Sequence, residues 1–171
     1  MFKTLTQDTD DTFELPPNAQ GQEDVIGQMR QHFASVSVDK VVTLRHHAAT
    51  WSVSANRWFA ENIVAQMTAL KTLDLSHIQA NSRSDIALSV EAILTAVTAV
   101  ESIDLSDNIL GTDGAKTFVS LLASNRTLVS FRANNCGLGS ESAQMIFMAI
   151  EANMNSKLAS VELKNNEFGS E

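Results

Sequence analysis

The sequence has a single cysteine, Cys136, among its 171 residues. One cysteine can form neither an internal disulfide nor a cysteine-based zinc site, and such sparse use is typical of a reducing compartment. Long apolar runs are missing too, since none approaches the roughly 18 residues that a membrane helix needs, and residues 1–11 are too polar and acidic for a secretory signal. We therefore expect a cytosolic or nuclear protein that does not enter a membrane.

Basic residues are scarce as well. Lysine and arginine number 12 against 20 aspartates and glutamates, which gives a formal net charge of -8. A chain of this charge is not attracted to phosphate backbones, so we expect no nucleic-acid partner. A protein partner with basic patches fits the charge better.

The signatures of a self-contained enzyme are absent from the sequence. It has no glycine-rich phosphate loop ending in Lys-Ser or Lys-Thr, no His-Glu-x-x-His metal helix and no Gly-x-Ser-x-Gly nucleophile elbow. His46 and His47 are neighbours in a predicted strand, where successive side chains point to opposite faces, so they cannot chelate one metal together. We expect no metal, no cofactor and no active site of the chain's own.

What the sequence does have is an internal repeat. Each repeat carries an apolar residue, then two others, a second apolar residue, one other, and a third apolar residue. The third apolar residue lies at 44, 75, 105, 133 and 163, in steps of 31, 30, 28 and 30 residues. Such a period is the signature of a solenoid of stacked units. Four segments carry the full leucine-rich pattern, and a fifth at Val42 and Leu44 is weaker: Leu70-Leu73-Leu75, Val100-Ile103-Leu105, Leu128-Phe131-Ala133 and Leu158-Val161-Leu163.

The turn after each strand carries a short polar residue or a small thiol at one repeated place. Asn108, Cys136 and Asn166 occupy it. There the side chain must hydrogen-bond the backbone of the neighbouring turn, which a long side chain could not do. We therefore interpret Cys136 as a structural substitute for asparagine and not as a nucleophile.

Between the strands, apolar residues three and four positions apart predict helices. Residues 54–67 predict the first, and three pairs can cap those that follow: Ser84-Asp85, Thr112-Asp113 and Ser140-Glu141. Near the start of the chain, residues 13–15 predict an edge strand and residues 24–33 a helix that covers the first repeat.

Together these elements predict an α/β fold, a curved leucine-rich-repeat solenoid with short parallel strands inside and helices outside. We expect a disordered N-terminus over residues 1–12 and an N-terminal cap over 13–40. An array of about five repeats then fills residues 41–171. We expect this array to be truncated at its C-terminus, because the last predicted strand is not followed by a helix.

Strand residues that alternate with the buried ones line the concave face of such a solenoid, and turn residues form its rim. No enclosed pocket is implied. We expect this surface to bind a protein partner that carries basic patches. The residues expected to contact the partner are Asp74, Asp104, Asp107, Arg132, Glu162 and Lys164.

Specific strings resemble a known family. Residues 102–115, Ser-Ile-Asp-Leu-Ser-Asp-Asn-Ile-Leu-Gly-Thr-Asp-Gly-Ala, with Phe-Val-Ser-Leu-Leu at 118–122, resemble the central repeats of the Ran GTPase-activating protein family. Leu-Asp-Leu-Ser at 73–76, Ala-Asn-Asn-Cys-Gly-Leu-Gly at 133–139 and Val-Glu-Leu-Lys-Asn-Asn-Glu-Phe at 161–168 follow in that family's order. The resemblance extends over residues 13–171.

The resemblance implies activation of GTP hydrolysis on Ran, a small GTPase of nuclear transport, in the cytoplasm or at the nuclear envelope. The family uses no arginine finger; it holds the GTPase's own catalytic glutamine in place through a rim asparagine, which falls on Asn135 here. The family's important arginine belongs in the long loop after Leu75, where this chain has Arg83. Asn135 and Arg83 are thus the expected catalytic residues, acting at a partner's active site.

A second interpretation is a leucine-rich-repeat interaction module that does not activate a GTPase, similar to the repeat domain of tropomodulin and related actin-end proteins. Residues 122–128, Leu-Ala-Ser-Asn-Arg-Thr-Leu, suit either group. The two interpretations share the fold and differ in whether the partner's chemistry is changed.

Overall fold

The computed structural model describes residues 12–14, 24–34, 36–46, 51–78 and 82–169. In this part of the chain, six strands of three residues alternate with five helices. The strands are β1 (Thr12–Glu14), β2 (Thr43–Arg45), β3 (Thr72–Asp74), β4 (Ser102–Asp104), β5 (Ser130–Arg132) and β6 (Ser160–Glu162). The helices are α1 (Val25–Phe33), α2 (Val53–Asn62), α3 (Arg83–Ala96), α4 (Gly111–Ser124) and α5 (Ser140–Ala152), with a short 3-10 helix over Val64–Gln66.

All six strands are parallel and pair in chain order from β1 to β6. The helices pack against one another in the same order, each on the one before it. This confirms the predicted α/β architecture, a curved leucine-rich-repeat solenoid with short strands inside and helices outside. The described strands number six instead of about five because Thr12–Glu14 pairs with β2 in the same register.

The division of the chain into a cap and a repeat array stays a prediction. Residues 1–11, most of the predicted disordered N-terminus, lie outside the described residues. The ring of Phe13 in β1 lies 5.4 Å from that of Phe33 in α1, and Phe33 lies 5.9 Å from Phe59 in α2. The first strand and helix therefore continue the core of the repeats that follow.

The central residue of each strand points into the layer between sheet and helices. These residues are almost inaccessible in the first five strands: Phe13, Leu44, Leu73, Ile103 and Phe131. Burying a side chain of this size contributes about 1.5–3 kcal/mol. In the last strand Val161 is 37% exposed, because among the described residues no further unit covers it.

The predicted helix caps are wrong in detail. Helix α3 begins two residues earlier than expected, because the Ser82 hydroxyl accepts the hydrogen bond from Asp85 N at 3.2 Å. Ser84 and Asp85 therefore lie within its first turn. Similarly, α4 and α5 begin at Gly111 and Ser140 with no capping side chain, so Thr112-Asp113 and Ser140-Glu141 also lie within first turns.

The start of α4 is fixed by the neighbouring repeat instead of a cap. The backbone N–H groups of Leu110 and Gly111 both donate to the Cys136 carbonyl at 3.0 Å, in the next turn of the stack. The predicted helix over residues 54–67 is also divided, into α2 with its Ser52 cap and the short 3-10 helix. A contact across the stack, not a capping side chain, thus marks where α4 begins, whereas α2 and α3 begin at serine caps.

The repeated turn asparagine ties adjacent units together as predicted. Asn108 Oδ1 accepts from Ile78 N at 2.9 Å, and Asn108 Nδ2 donates to the carbonyls of Leu75 and Leu105 at 2.8 Å each. Asn166 makes the equivalent bonds to the turn that contains Cys136. Asn108 is buried, so its side chain satisfies backbone groups that water cannot reach.

Replacing Asn108 by alanine should therefore lower the free energy of unfolding by about 3 kcal/mol, since several buried backbone groups lose their partners. Urea denaturation followed by circular dichroism measures this loss. The matched control is Asn165→Gly, an exposed turn position with φ 56 that glycine adopts freely, where we expect a change below about 0.5 kcal/mol. Equal losses in the two variants would contradict the buried-tie interpretation.

Candidate functional site

The inner face of the sheet carries two rows of polar side chains. Because the strands pair in register, residues at equal places stand side by side. The residue before each central apolar residue forms a hydroxyl row: Thr12, Thr43, Thr72, Ser102, Ser130 and Ser160. The residue after it forms a charged row: Glu14, Arg45, Asp74, Asp104, Arg132 and Glu162.

The charged row brings together four of the six residues predicted to contact a partner. Asp74, Asp104, Arg132 and Glu162 are successive neighbours in the register. The sequence analysis did not identify the hydroxyl row, although serine or threonine at the same place in all six strands was a visible signal. The role of these residues in partner binding stays a prediction.

At β5 and β6 the charged row forms an ion-pair network. Arg132 Nε lies 3.2 Å from Glu162 Oε1, and Lys164 Nζ lies 3.2 Å from Glu162 Oε2. Arg132 Nη1 also lies 3.9 Å from Asp104 Oδ2. Hydrogen bonds from Lys164 and then Arg132 hold the pKa of the Glu162 carboxyl below its ordinary value. Charges of both signs are thus already compensated around β5 and β6.

The middle of the charged row holds two neighbouring carboxylates, Asp74 and Asp104, with Arg45 beside the first and Arg132 beside the second. Asp74 Oδ1 accepts from Ser76 N at 3.1 Å, and Asp104 Oδ1 accepts from Ser106 N at 2.9 Å. These bonds hold both carboxylates against the turn that follows their strand.

Along the rim, one residue in each turn has a left-handed backbone. We call these four the rim row: His77 (φ 55), Asp107 (φ 62), Asn135 (φ 53) and Asn165 (φ 56). Asparagine, aspartate and histidine tolerate this conformation better than most residues. In the first three of these turns, the backbone N–H of the rim residue donates to a carbonyl of the following turn: His77 N to Ser106, Asp107 N to Asn134 and Asn135 N to Lys164.

Three side chains of the rim row are also joined. His77 Nε2 lies 3.2 Å from Asp107 Oδ2, and Asn135 Nδ2 donates to Asp107 Oδ1 at 2.9 Å. All three side chains are exposed, although Asp107 is the least so at 36%. The predicted catalytic Asn135 and the predicted contact residue Asp107 therefore form one hydrogen-bonded group at the surface.

The sequence predicted that Arg83 lies in the long loop after Leu75. In the structure it is the first residue of α3. Its Nη1 lies 3.9 Å from the position that a Cβ on Gly111 would occupy, so the guanidinium lies near the start of α4. Gly111 has φ 60 and leaves that space open. Arg83 is exposed and forms no ion pair with any other described residue.

One of the two adjacent histidines, His46, is packed in the interior. His46 is fully buried directly after β2, where its Nε2 lies 2.8 Å from Asn56 Oδ1, and Asn56 Nδ2 donates to Ser89 Oγ at 3.0 Å. Sequence analysis did not identify Asn56 and Ser89, because nothing local marks a polar residue on a buried helix face. His47 lies outside the described residues.

No three histidine, cysteine or carboxylate side chains in the described ranges of the chain converge as a metal site requires. In the same ranges, no helix combines the length and apolar character needed to cross a bilayer.

The chain is similar to a known protein. Over 139 residues, 77% of its length, the chain is 29% identical to Ran GTPase-activating protein 1 of Xenopus laevis. The chain spans 23% of that relative's length. No model of a known protein family matches it. The chain is therefore distantly similar to a Ran GTPase-activating protein within a repeat fold that both the sequence and the structure display.

Cys136 lies directly behind Asn135 and is fully buried, with Sγ 3.2 Å from the Leu105 carbonyl oxygen. Burial raises the pKa of its thiol from 9.0 to about 11, against the opposing effect of a backbone hydrogen bond at Asn108. The thiol is thus held neutral and serves as a structural substitute for asparagine, as predicted, not as a thiolate nucleophile.

This shift makes stability depend on pH. Above pH 9 the unfolded chain loses the Cys136 proton while the folded chain keeps it until about pH 11, so stability is complete below pH 9 and falls across that window. The loss should approach about 3 kcal/mol. Urea denaturation of the wild type and of Cys136→Ala from pH 8 to 11 isolates the effect, because lysine titration is common to both. Parallel pH profiles would contradict the raised pKa.

Proposed function

We propose that this chain is a GTPase-activating leucine-rich-repeat protein that acts on the small GTPase Ran. The observation that carries the proposal is Asn135, an exposed carboxamide on the solenoid rim that a hydrogen bond to Asp107 holds in place. The similarity to Ran GTPase-activating protein 1 supports it. The proposal includes a role in nuclear transport and a location in the cytoplasm or at the nuclear envelope.

In this mechanism Asn135 positions a group of the partner and does not itself react. Phosphoryl transfer depends on orientation of the attacking water, which in small GTPases is the task of the enzyme's own glutamine. A rim carboxamide in contact with that glutamine restricts its side chain to the orientation that holds the water. The chain therefore acts as a GTPase activator and supplies no active site of its own.

The surrounding charges suit the docking of a partner. The two neighbouring carboxylates of the charged row, Asp74 and Asp104, continue to Asp107 on the rim, next to Asn135. A basic patch bound there would bring the partner up to the carboxamide. The Arg83 guanidinium lies near Gly111 at the start of α4 and can contact an acidic or phosphate group at the edge of the interface.

A second candidate is an interaction module that does not change its partner's chemistry. The two polar rows favour it, because an extended inner face lined with hydroxyl and charged side chains can bind a protein without any contribution from Asn135. The two candidates differ in one measurable respect, the rate of GTP hydrolysis on the bound partner.

Single-turnover hydrolysis of GTP on Ran tests the proposal. The wild-type chain should accelerate hydrolysis, and Asn135→Gly should remove roughly 10² of that acceleration at saturating chain, since an orienting contact is worth a few kcal/mol. Glycine is preferred to alanine because Asn135 has φ 53, where alanine adds backbone strain. The control Asn165→Gly removes the corresponding carboxamide of the next turn and should keep full activity.

Arg83→Ala tests the edge of the interface. Its expected effect is a higher concentration of chain for half-maximal acceleration, most marked at low salt, with the maximal rate almost unchanged, because an exposed charge mainly affects association. Titrating the chain against Ran at two ionic strengths measures both quantities. A large loss of maximal rate with unaltered half-saturation would contradict this docking role.

The wild-type result separates the candidates. Binding to Ran without acceleration overturns the activator proposal and favours the interaction module. Absence of both binding and acceleration overturns the assignment of Ran as the partner.

A further inference from the structure

An exposed asparagine ordinarily presents either end of its carboxamide, because rotation about the last side-chain bond exchanges oxygen and nitrogen at little cost. Asn135 is restricted by its neighbour. An ionised carboxylate only accepts hydrogen bonds, so only the amino end of Asn135 can face Asp107, at 2.9 Å. The carbonyl end, Oδ1, must then point elsewhere.

Asp107 is itself held in position. Its second carboxylate oxygen lies 3.2 Å from His77 Nε2, and its backbone N–H donates to the Asn134 carbonyl at 2.9 Å in the same turn as Asn135. The carboxylate thus contacts a rim residue on each side, one in the preceding turn and one in the following turn. Asn165, the last member of the rim row, has no corresponding aspartate before it.

We propose that Asp107 is a positioning residue that fixes the orientation of the Asn135 carboxamide. The fixed carboxamide presents Oδ1 and its second N–H to a partner, a donor and acceptor pair that complements another carboxamide. The functional part of this inference rests on the proposed activator role, whereas the orientation itself belongs to the free chain.

Two variants of Asp107 separate positioning from charge. Asp107→Asn keeps a carbonyl oxygen that can accept from Asn135 Nδ2, and Asp107→Gly removes the acceptor. Both residues adopt φ 62 readily, so neither strains the turn, and both lose the same negative charge. Any difference between the two variants therefore reports the hydrogen bond and not the electrostatic potential.

The first measurement is the maximal rate of single-turnover GTP hydrolysis on Ran at saturating chain. We expect Asp107→Gly to lower it roughly threefold to tenfold, the scale of one hydrogen bond, and Asp107→Asn to restore most of the loss. In an Asn135→Gly background, Asp107→Gly should have no further effect on the maximal rate, since its target is gone. Equal rates in the two Asp107 variants, or a further loss in the Asn135→Gly background, would overturn the positioning role.

The second measurement needs no partner. In the ¹⁵N-labelled chain, the side-chain amide signals of Asn135, assigned by their loss in Asn135→Gly, should move towards those of a free asparagine in Asp107→Gly and stay near the wild type in Asp107→Asn. Unchanged signals in Asp107→Gly would overturn the inference. If the wild-type chain fails to accelerate hydrolysis on Ran, the proposed function fails, and these signals alone still decide whether Asp107 orients Asn135.

Discussion

Every turn after a strand leaves backbone amides and carbonyls that the three-residue strands cannot pair, and the rest of the structure depends on how those groups are satisfied. Asn108 satisfies them across the stack by accepting from Ile78 N and donating to the Leu75 and Leu105 carbonyls. The tie joins two repeats through one buried side chain. Because the cost of leaving such groups unpaired is high, the spacing of the turns is fixed, and the register of the sheet follows from it.

Fixed turns also determine what the rim presents. The residue before each turn asparagine or cysteine adopts a left-handed backbone, as Asp107, Asn135 and Asn165 do. Asparagine at position 135 therefore meets two demands, since it tolerates φ 53 and offers a carboxamide to a partner. The sequence pattern alone cannot show whether asparagine stands at position 135 for its backbone or for its side chain. The contact with Asp107 points to the side chain, because an asparagine needed only for its backbone requires no hydrogen bond that fixes its carboxamide.

The fold could be predicted because its causes are local and repeated. The third apolar positions and the turn residues Asn108 and Asn166 recur at a nearly constant period, and each unit covers the next. The residues at which the helices begin could not be predicted in the same way. Ser82 and Ser84 are equally good caps by composition, and the structure selects Ser82; α4 begins where Cys136 of the next repeat accepts its first amides. The bond between Asn135 and Asp107 joins residues 28 positions apart, so it depended on the stack as well.

The charges of the inner face add a second constraint to this arrangement. Arg132, Glu162 and Lys164 compensate one another at β5 and β6, while Asp74 and Asp104 lie side by side at β3 and β4, between Arg45 and Arg132. A partner whose basic patch matches the two adjacent carboxylates would be centred on them. Asn135 follows β5, one strand beyond Asp104, and its carboxamide is hydrogen-bonded to Asp107. A partner centred on these carboxylates would thus bring its adjoining surface to the rim carboxamide that Asp107 contacts, which couples docking to positioning.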